Sequence, residues 1–423
     1  MLDLAPFVGP GAGVWWGQTS AEPTPLVHAL LDQVDRLGPL DAFCGMSWDE
    51  RLTTALPSAI TLRSYGGLGK LSSLSKQGRL EVIPCNFSAL PRLFAEGALP
   101  RDVGLVQVSP PDSDGMCSLG VGVDYVADAV EHTPVLIAEV NARMPRTSGT
   151  ARIPFERFSA VVETDRPLHE APSREPDSVE TAIAAHVAGL IEDGDTVQLG
   201  VGSLPSAVLA ALTSHSDLGM HTGMISDPVL RLVEAGVLTG GKKEIDRGVI
   251  VTGAALGSAE LYGGIPDLPV QFRPASYTHD PGVLAQLRTL VAVNSAIEVD
   301  LSGQIGAEVR NGVYVGAVGG QADFCRAASN TGARSIIALR SRSRGESTIK
   351  AVLEGGTVTT SRADVDHIVT EYGVATLRGA TMAVRAERLI EIAAPEHRDA
   401  LAASLGSSHP VPNPIANPGR SSR

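Results

Sequence analysis

The stretch DTVQLGVGSLPSAVLAALTSHSDLGMHTGMISD, residues 195–227, constrains the fold of this chain more than any other. Thr196–Leu199 is a short apolar run that Gly200-Val201-Gly202 breaks. Pro205 then suits the first turn of a helix carrying Val208, Leu209 and Leu212. Strand, glycine turn and helix in that order bring backbone N–H groups and a helix N-terminus to one point. That point favours an anion or a developing oxyanion. An ordinary βα turn has the same pattern, so this stretch alone leaves both readings open. The segment LGMHTGMISD (218–227) reads as a strand end, a polar loop, and a helix capped by Asp227 with Pro228 at its first position.

The same alternation recurs along the chain. Gly13–Trp16 is a short strand, Gly17-Gln18 turns the chain, and a helix runs from Pro23 or Pro25 through Leu26, Leu30, Leu31 and Val34. Strands are expected at Glu81–Cys85, Val103–Val108 and Val135–Val140, with helices around Leu90–Ala95 (stopping at Gly97) and Val123–Val130. Residues 163–178 hold three prolines, many charges and no periodicity, and read as a connector. The expected organisation is an N-terminal lobe (1–165), a linker (166–178), a C-terminal lobe (179–406) and a flexible tail (407–423) with four prolines. The second lobe opens on a helix over Val179–Ile191 and continues with strands at Gly248–Val251, Leu290–Ser295, Ser335–Leu339 and Val365–Thr370. Residues 311–329 read as a strand, a Gly319-Gly320 turn and a helix, and Thr381–Ala393 as an amphipathic helix. Repeated strand–loop–helix units imply an α/β fold with mostly parallel sheets covered on both faces.

Composition narrows the function. A chain of 423 residues with 43% hydrophobic content and 45 glycines can bury a turn-rich α/β core. The formal charge of −13 disfavours nucleic acid or an anionic membrane as partner. Cys44, Cys85, Cys117 and Cys325 are scattered, without a CxxC or a paired histidine, and read as reduced thiols rather than disulfides or metal ligands. No basic leader or long apolar span is evident, so a cytoplasmic location is expected.

Several stretches together resemble the acetyl-CoA hydrolase/transferase family, which includes 4-hydroxybutyrate and butyryl-CoA:acetate CoA-transferases. They are GQTSAEPTPLVHAL (17–30), SPPDSDGMCSLGVGVDY (109–125), IAEVNARMPRTSG (137–149), LGVGSLPSAV (199–208), VNSAIEVDLSGQIGAE (293–308), VGGQADFCRAA (318–328) and VTEYGVATLRG (369–379). The resemblance implies two similar open α/β/α lobes with the active site in the cleft between them, acyl-CoA as substrate, no metal, and a dimer or larger homo-oligomer. It also implies thioester chemistry through a glutamate that attacks the acyl-CoA carbonyl and then carries CoA. That glutamate belongs in a loop of the form His-Ser/Thr-Glu-Met. Here the loop is His221-Thr222-Gly223-Met224, and the nucleophile position is glycine.

A glycine cannot form an anhydride or carry CoA, and loss of a covalent nucleophile costs orders of magnitude in rate. The departure leaves a hydrolase or acyltransferase in which water, an amine or an alcohol attacks directly; a transferase using another carboxylate; or a silent or engineered acyl-CoA-binding relative. Direct attack is the favoured reading, because the flanking His221, Met224, Ser226 and Asp227 and both glycine loops still fit the pattern. In that reading Gly200, Val201, Gly202, Ser203, Gly319, Gly320 and Gln321 supply donors and acyl-CoA contacts. His221 accepts the proton, unless it is a structural histidine bonded to backbone. Arg143 and Arg146 are candidates for a carboxylate or CoA phosphate, or are solvated loop residues. Glu139, Glu298 and Asp300 fall near strand ends and read as loop-orienting carboxylates. Lys242-Lys243 and Arg340/Arg342/Arg344 read as surface charge that could reach the nucleotide end of CoA.

Overall fold

Buried apolar runs between glycine turns produce two sheets in the computed structural model, which describes residues 2–149, 151–171, 174–353 and 356–407. The first sheet uses β1 (Gly13–Trp16), β2 (Leu40–Cys44), β3 (Ile60–Ser64), β4 (Glu81–Val82), β5 (Val103–Val108), β6 (Val135–Asn141) and β7 (Ala160–Thr164). Its order is β4-β3-β2-β1-β5-β6-β7, and every pairing is parallel. All six residues of β5 are buried, as a strand covered on both faces requires.

The second sheet uses β8 (Thr196–Leu199), β9 (Gly219–Met220), β10 (Leu290–Ser295), β11 (Arg334–Ala338), β12 (His367–Thr370) and β13 (Gly373–Thr376). The order is β9-β8-β10-β11-β12-β13, parallel except for the closing β12–β13 hairpin. Four helices bear on the site: α1 (Asp124–Glu131), α2 (Ser203–Ala211), α3 (Pro228–Glu234) and α4 (Gln321–Thr331). No helix among the described residues is long and apolar enough to cross a membrane.

The two halves are stitched by main chain. Gly67 N–H donates to Gly316 O at 2.9 Å, and Phe87 N–H donates to Gly319 O at 2.9 Å. Val123 and Asp124 N–H both reach Gly253 O, at 3.0 and 2.9 Å. Ser88 donates to Asp323 through its hydroxyl (2.6 Å) and its N–H (3.1 Å). One apolar cluster runs continuously from Trp15 and Phe94 in the first half to Val197, Val293 and Ile336 in the second. A cleft closed by backbone bonds and a shared core holds its lining residues in fixed register.

Several expectations need correction. Asp227 is not a helix cap: its backbone is already helical, and its carboxylate accepts from Ser258 N–H (2.9 Å) and Ser258 Oγ–H (2.6 Å). Pro228 does open α3. The strand expected at Glu81–Cys85 stops at Val82, since Pro84 has no N–H for a sheet ladder. Lys243 is not a surface charge. Its stem lies beneath Gly219, and its ammonium donates to Met220 O (3.2 Å) and Val249 O (2.7 Å) while fully buried. Burial holds the Lys243 ammonium down to about 8. Arg340 and Arg342 are engaged with Asp177 and Glu396, and Lys242 with Asp217. Most of the tail expected to be flexible, 408–423, lies outside the described residues.

The stretch expected to be a connector begins at a buried ion pair. Arg166 holds the fully buried Glu139 through two hydrogen bonds (2.6 and 2.9 Å) and also donates to Glu22 O at 2.8 Å. Removing one partner of a buried pair leaves an uncompensated charge in low dielectric. Arg166→Ala is therefore expected to cost about 3 kcal/mol in urea unfolding. Arg143→Ala, which breaks the solvent-exposed pair with Asp165, is expected to change stability by less than about 1 kcal/mol.

Candidate active site

Two helix N-termini converge where the sheets' carboxyl ends meet. Gly202, at φ +126°, turns the chain from β8 into α2, and Gly319, at φ +53°, precedes the turn into α4. Each helix leaves its first N–H groups without intrahelical partners, and a space opens beside the two turns. That space is a cavity of about 230 Å³ lined by both halves of the chain: Gln18, Tyr65, Phe87 and Asp124 from the first, and Gly200, Val201, Gly223, Met224, His279 and Gly319–Gln321 from the second. A second cleft of about 550 Å³ shares Met46 and Val201 with it and continues along Gly202, Ser203, Trp48 and Arg231. The glycine loop at 200–203 thus forms the partition between an inner chamber and an outer groove.

The structure brings most of the sequence-predicted site residues together and leaves three aside. Gly200, Val201, Gly223, Met224, Gly319, Gly320 and Gln321 line the chamber, while Gly202 and Ser203 line the groove. Gln321 also donates to Thr360 Oγ1 at 3.1 Å, which fixes its amide. Arg143 is paired with Asp165 (2.5 Å) and Arg146 donates to Pro110 O (2.7 Å); neither lines the chamber or the groove.

His221 is the third. It is fully buried, its Nε2 lies 3.0 Å from Thr278 O, and its Nδ1 has no hydrogen-bond partner. A carbonyl partner accepts only, so Nε2 carries the proton. This is the backbone-bonded alternative that the sequence left open. The carboxylates placed in support do bind locally. Glu139 holds Arg166 and Thr164, and Asp300 accepts from the Ser302 and Gln304 N–H groups (2.9 and 3.1 Å). Glu298 lines a separate surface pocket beside Arg310 and Lys350.

Sequence reasoning missed the residue that faces Gly223. A Cβ at Gly223 would meet His279 Cε1 at 3.0 Å and Nε2 at 3.1 Å. A Cβ at Gly320 would meet the same Nε2 at 2.4 Å. The imidazole sits between the two glycines, with Phe87 (ring centroids 4.7 Å apart) and Phe324 (4.9 Å) closing on its faces. Burial pushes His279 down to about 3, aided by the neighbouring His221, so the ring is neutral. Its segment, SYTHDP (276–281), carries only turn signals, and nothing in the local pattern aims the ring at residue 223.

Across the chamber lies the buried Asp124. Gln18 Nε2 donates to its Oδ2 at 2.7 Å and Val126 N–H to its Oδ1 at 3.2 Å. Gln18 Oε1 in turn accepts from Tyr65 Oη (2.8 Å) and Met46 N–H (2.9 Å). Burial lifts the Asp124 carboxyl to about 6 despite these donors.

Two open, mostly parallel α/β halves with glycine turns and a helix N-terminus over a shared chamber define a class of fold whose ligands gather at the strands' carboxyl ends. Comparison with known proteins makes the class specific. Residues 2–168 match the acetyl-CoA hydrolase/transferase N-terminal domain and residues 257–405 the C-terminal domain. The chain belongs to the acetyl-CoA hydrolase/transferase family and is an enzyme of it. It is 44% identical over 329 residues to the 4-hydroxybutyrate coenzyme A transferase of Clostridium kluyveri, covering 77% of either chain. Among solved structures it superposes on the 4-hydroxybutyrate CoA-transferase of Porphyromonas gingivalis (TM-score 0.81, 35% identity, 96% of this chain and 95% of that one). RipA from Yersinia pestis gives TM-score 0.89 at 33% identity, covering 95% and 94%.

His221 also sets a pH response. Burial lowers it to about 4, so from pH 6.5 downward the unfolded chain takes up a proton that the folded one refuses, and stability falls. Glu22, raised to about 7, and Asp124 and Asp323, raised to about 6, act in the opposite sense. The difference between wild type and His221→Gln isolates the histidine. Moving from about pH 7.5 to about pH 4.5, the variant is expected to gain about 2–3 kcal/mol relative to wild type in chemical denaturation.

Proposed function

We propose that this enzyme transfers the acyl group of an acyl-CoA directly to water or another small acceptor, without a glutamyl-CoA intermediate. The acceptor oxygen or nitrogen bonds to the thioester carbon, the C–S bond breaks, and CoA leaves as a thiol carrying the proton that the acceptor lost. The reading is carried by one observation. The position that the family resemblance assigns to the nucleophilic glutamate is Gly223, whose open side faces the chamber and meets a neutral imidazole. The N-terminus of α4 at Gln321 and the Gly200-Val201 turn ahead of α2 bound the same chamber and suit the oxyanion of a tetrahedral intermediate. The pantetheine arm fits the route past Met46 and Val201 into the outer groove, where Arg231 has no acidic partner among the described residues and can meet a phosphate.

A second reading has its own observation. Asp124 is a carboxyl group in the chamber, and a transferase could use it in place of the missing glutamate. Direct transfer is favoured because both Asp124 oxygens already accept hydrogen bonds, from Gln18 and Val126, which reduces their nucleophilicity.

Acetyl-CoA and butyryl-CoA, each with and without added acetate, separate the two. Direct transfer to water predicts free thiol without any carboxylate, and no hydroxylamine-sensitive enzyme–CoA adduct. CoA exchange that requires a carboxylate, together with such an adduct abolished by Asp124→Asn, overturns the direct reading.

A further inference from the structure

Resting on the direct-transfer reading, we propose that His279 is the catalytic base of this site, with Thr278 and His221 as the residues that position it. The hydrogen-bond chain sets the tautomer. The Thr278 hydroxyl lies 3.3 Å from Pro274 O, an i−4 carbonyl to which it can donate its single proton. Its oxygen is 2.8 Å from His279 Nδ1, and with the hydroxyl proton on the carbonyl, which can only accept, that oxygen accepts from Nδ1–H; this is the tautomer the proposal assigns. The lone pair is then on Nε2, which has no hydrogen-bond partner among the described residues. Nε2 is also the atom that Cβ atoms at Gly223 and Gly320 would strike, so it looks into the chamber between the two glycines. Base and orienting group are thus joined as nucleophilic and hydrolytic sites require.

The same segment explains His221. Its Nε2–H donates to the carbonyl of Thr278, the residue whose hydroxyl holds His279. His221 thereby fixes the backbone that carries the base without touching the chamber. Phe87 and Phe324 prevent the His279 ring from tilting away. Their apolar faces also keep Nε2 unprotonated in the resting site.

The step balances with no further reactant. Nε2 takes a proton from the acceptor as its oxygen bonds to the thioester carbon, giving an imidazolium beside the oxyanion. Collapse of the tetrahedral intermediate breaks the C–S bond, and the imidazolium returns the proton to the departing thiolate. The charge on the ring exists only while the oxyanion or thiolate is present to stabilise it. A glutamate at position 223 would have to share this volume. Its Cβ would stand 3.0 Å from the ring, so glycine leaves the imidazole more room.

Four measurements on the full-length enzyme with acetyl-CoA and butyryl-CoA test the assignment. His279→Ala is expected to lower kcat by a factor on the order of 10²–10⁴ with KM changed by less than about threefold. Added imidazole is expected to restore turnover in that variant, an effect that a structural role would not produce. Thr278→Val is expected to reduce kcat by about tenfold through the wrong tautomer. In ¹⁵N-histidine NMR of the free wild-type protein, the His279 signal is expected to show a protonated Nδ1 and bare Nε2, which needs no variant to fold. Wild-type thiol release that persists within about threefold in His279→Ala, or a spectrum with Nε2 protonated, overturns the assignment and leaves direct transfer standing. A wild-type enzyme that only exchanges CoA between carboxylates removes both.

Discussion

The His279 ring fits between two positions that have no side chain, and the rest of the cleft follows from that contact. Alanine at position 320 would place a methyl group 2.4 Å from Nε2, inside any tolerable separation, and at 223 the approach is 3.0 Å. Glycine at both positions leaves a slot one imidazole wide, with aromatic walls from β4–β5 connecting chain (Phe87) and from α4 (Phe324). The slot exists because the two halves of the molecule are bonded backbone to backbone there. Phe87 N–H donates to Gly319 O, so the wall and the floor of the slot belong to one rigid unit.

Electrostatics follow from the same closure. The chamber wall holds one neutral histidine, His279, and a carboxyl raised to about 6, while behind it lie the neutral His221 and an ammonium lowered to about 8. Each shift has burial as its largest cause. The Gly200-Val201 turn and the start of α4 line the same chamber.

Much of the framework was legible in the sequence, for a simple reason. Parallel strands buried on both faces read as apolar runs, and the turns between them need glycine or proline, so Gly13–Trp16, Val103–Val108, Thr196–Leu199 and Leu290–Ser295 stand out and fold as read. Leu40–Cys44 and Ile60–Ser64 were not announced, because Asp41 in one and Thr61 and Arg63 in the other interrupt the apolar signal. Their pairing toward the β4 edge of the sheet, where Arg63 meets Asp41 and Glu81, settles them instead. Lys243 shows the limit from the other side. A lysine in a charged, glycine-rich stretch reads as solvent-exposed, and only the packed fold supplies the two carbonyls that let it go inside.

By itself the sequence determined the α/β class, the two glycine loops, the family and the absence of a carboxylate at residue 223. Those are properties of residues near one another in the chain, or of residue identity alone. It did not determine which imidazole faces the gap. His221 lies two residues from Gly223 and turns away from the chamber; His279 lies 56 residues further along than Gly223 and meets it. Strand direction, the Thr278 hydrogen bonds and the joining of the two halves made that choice, because a side chain's target is set by the packing of distant segments and leaves no trace in local spacing.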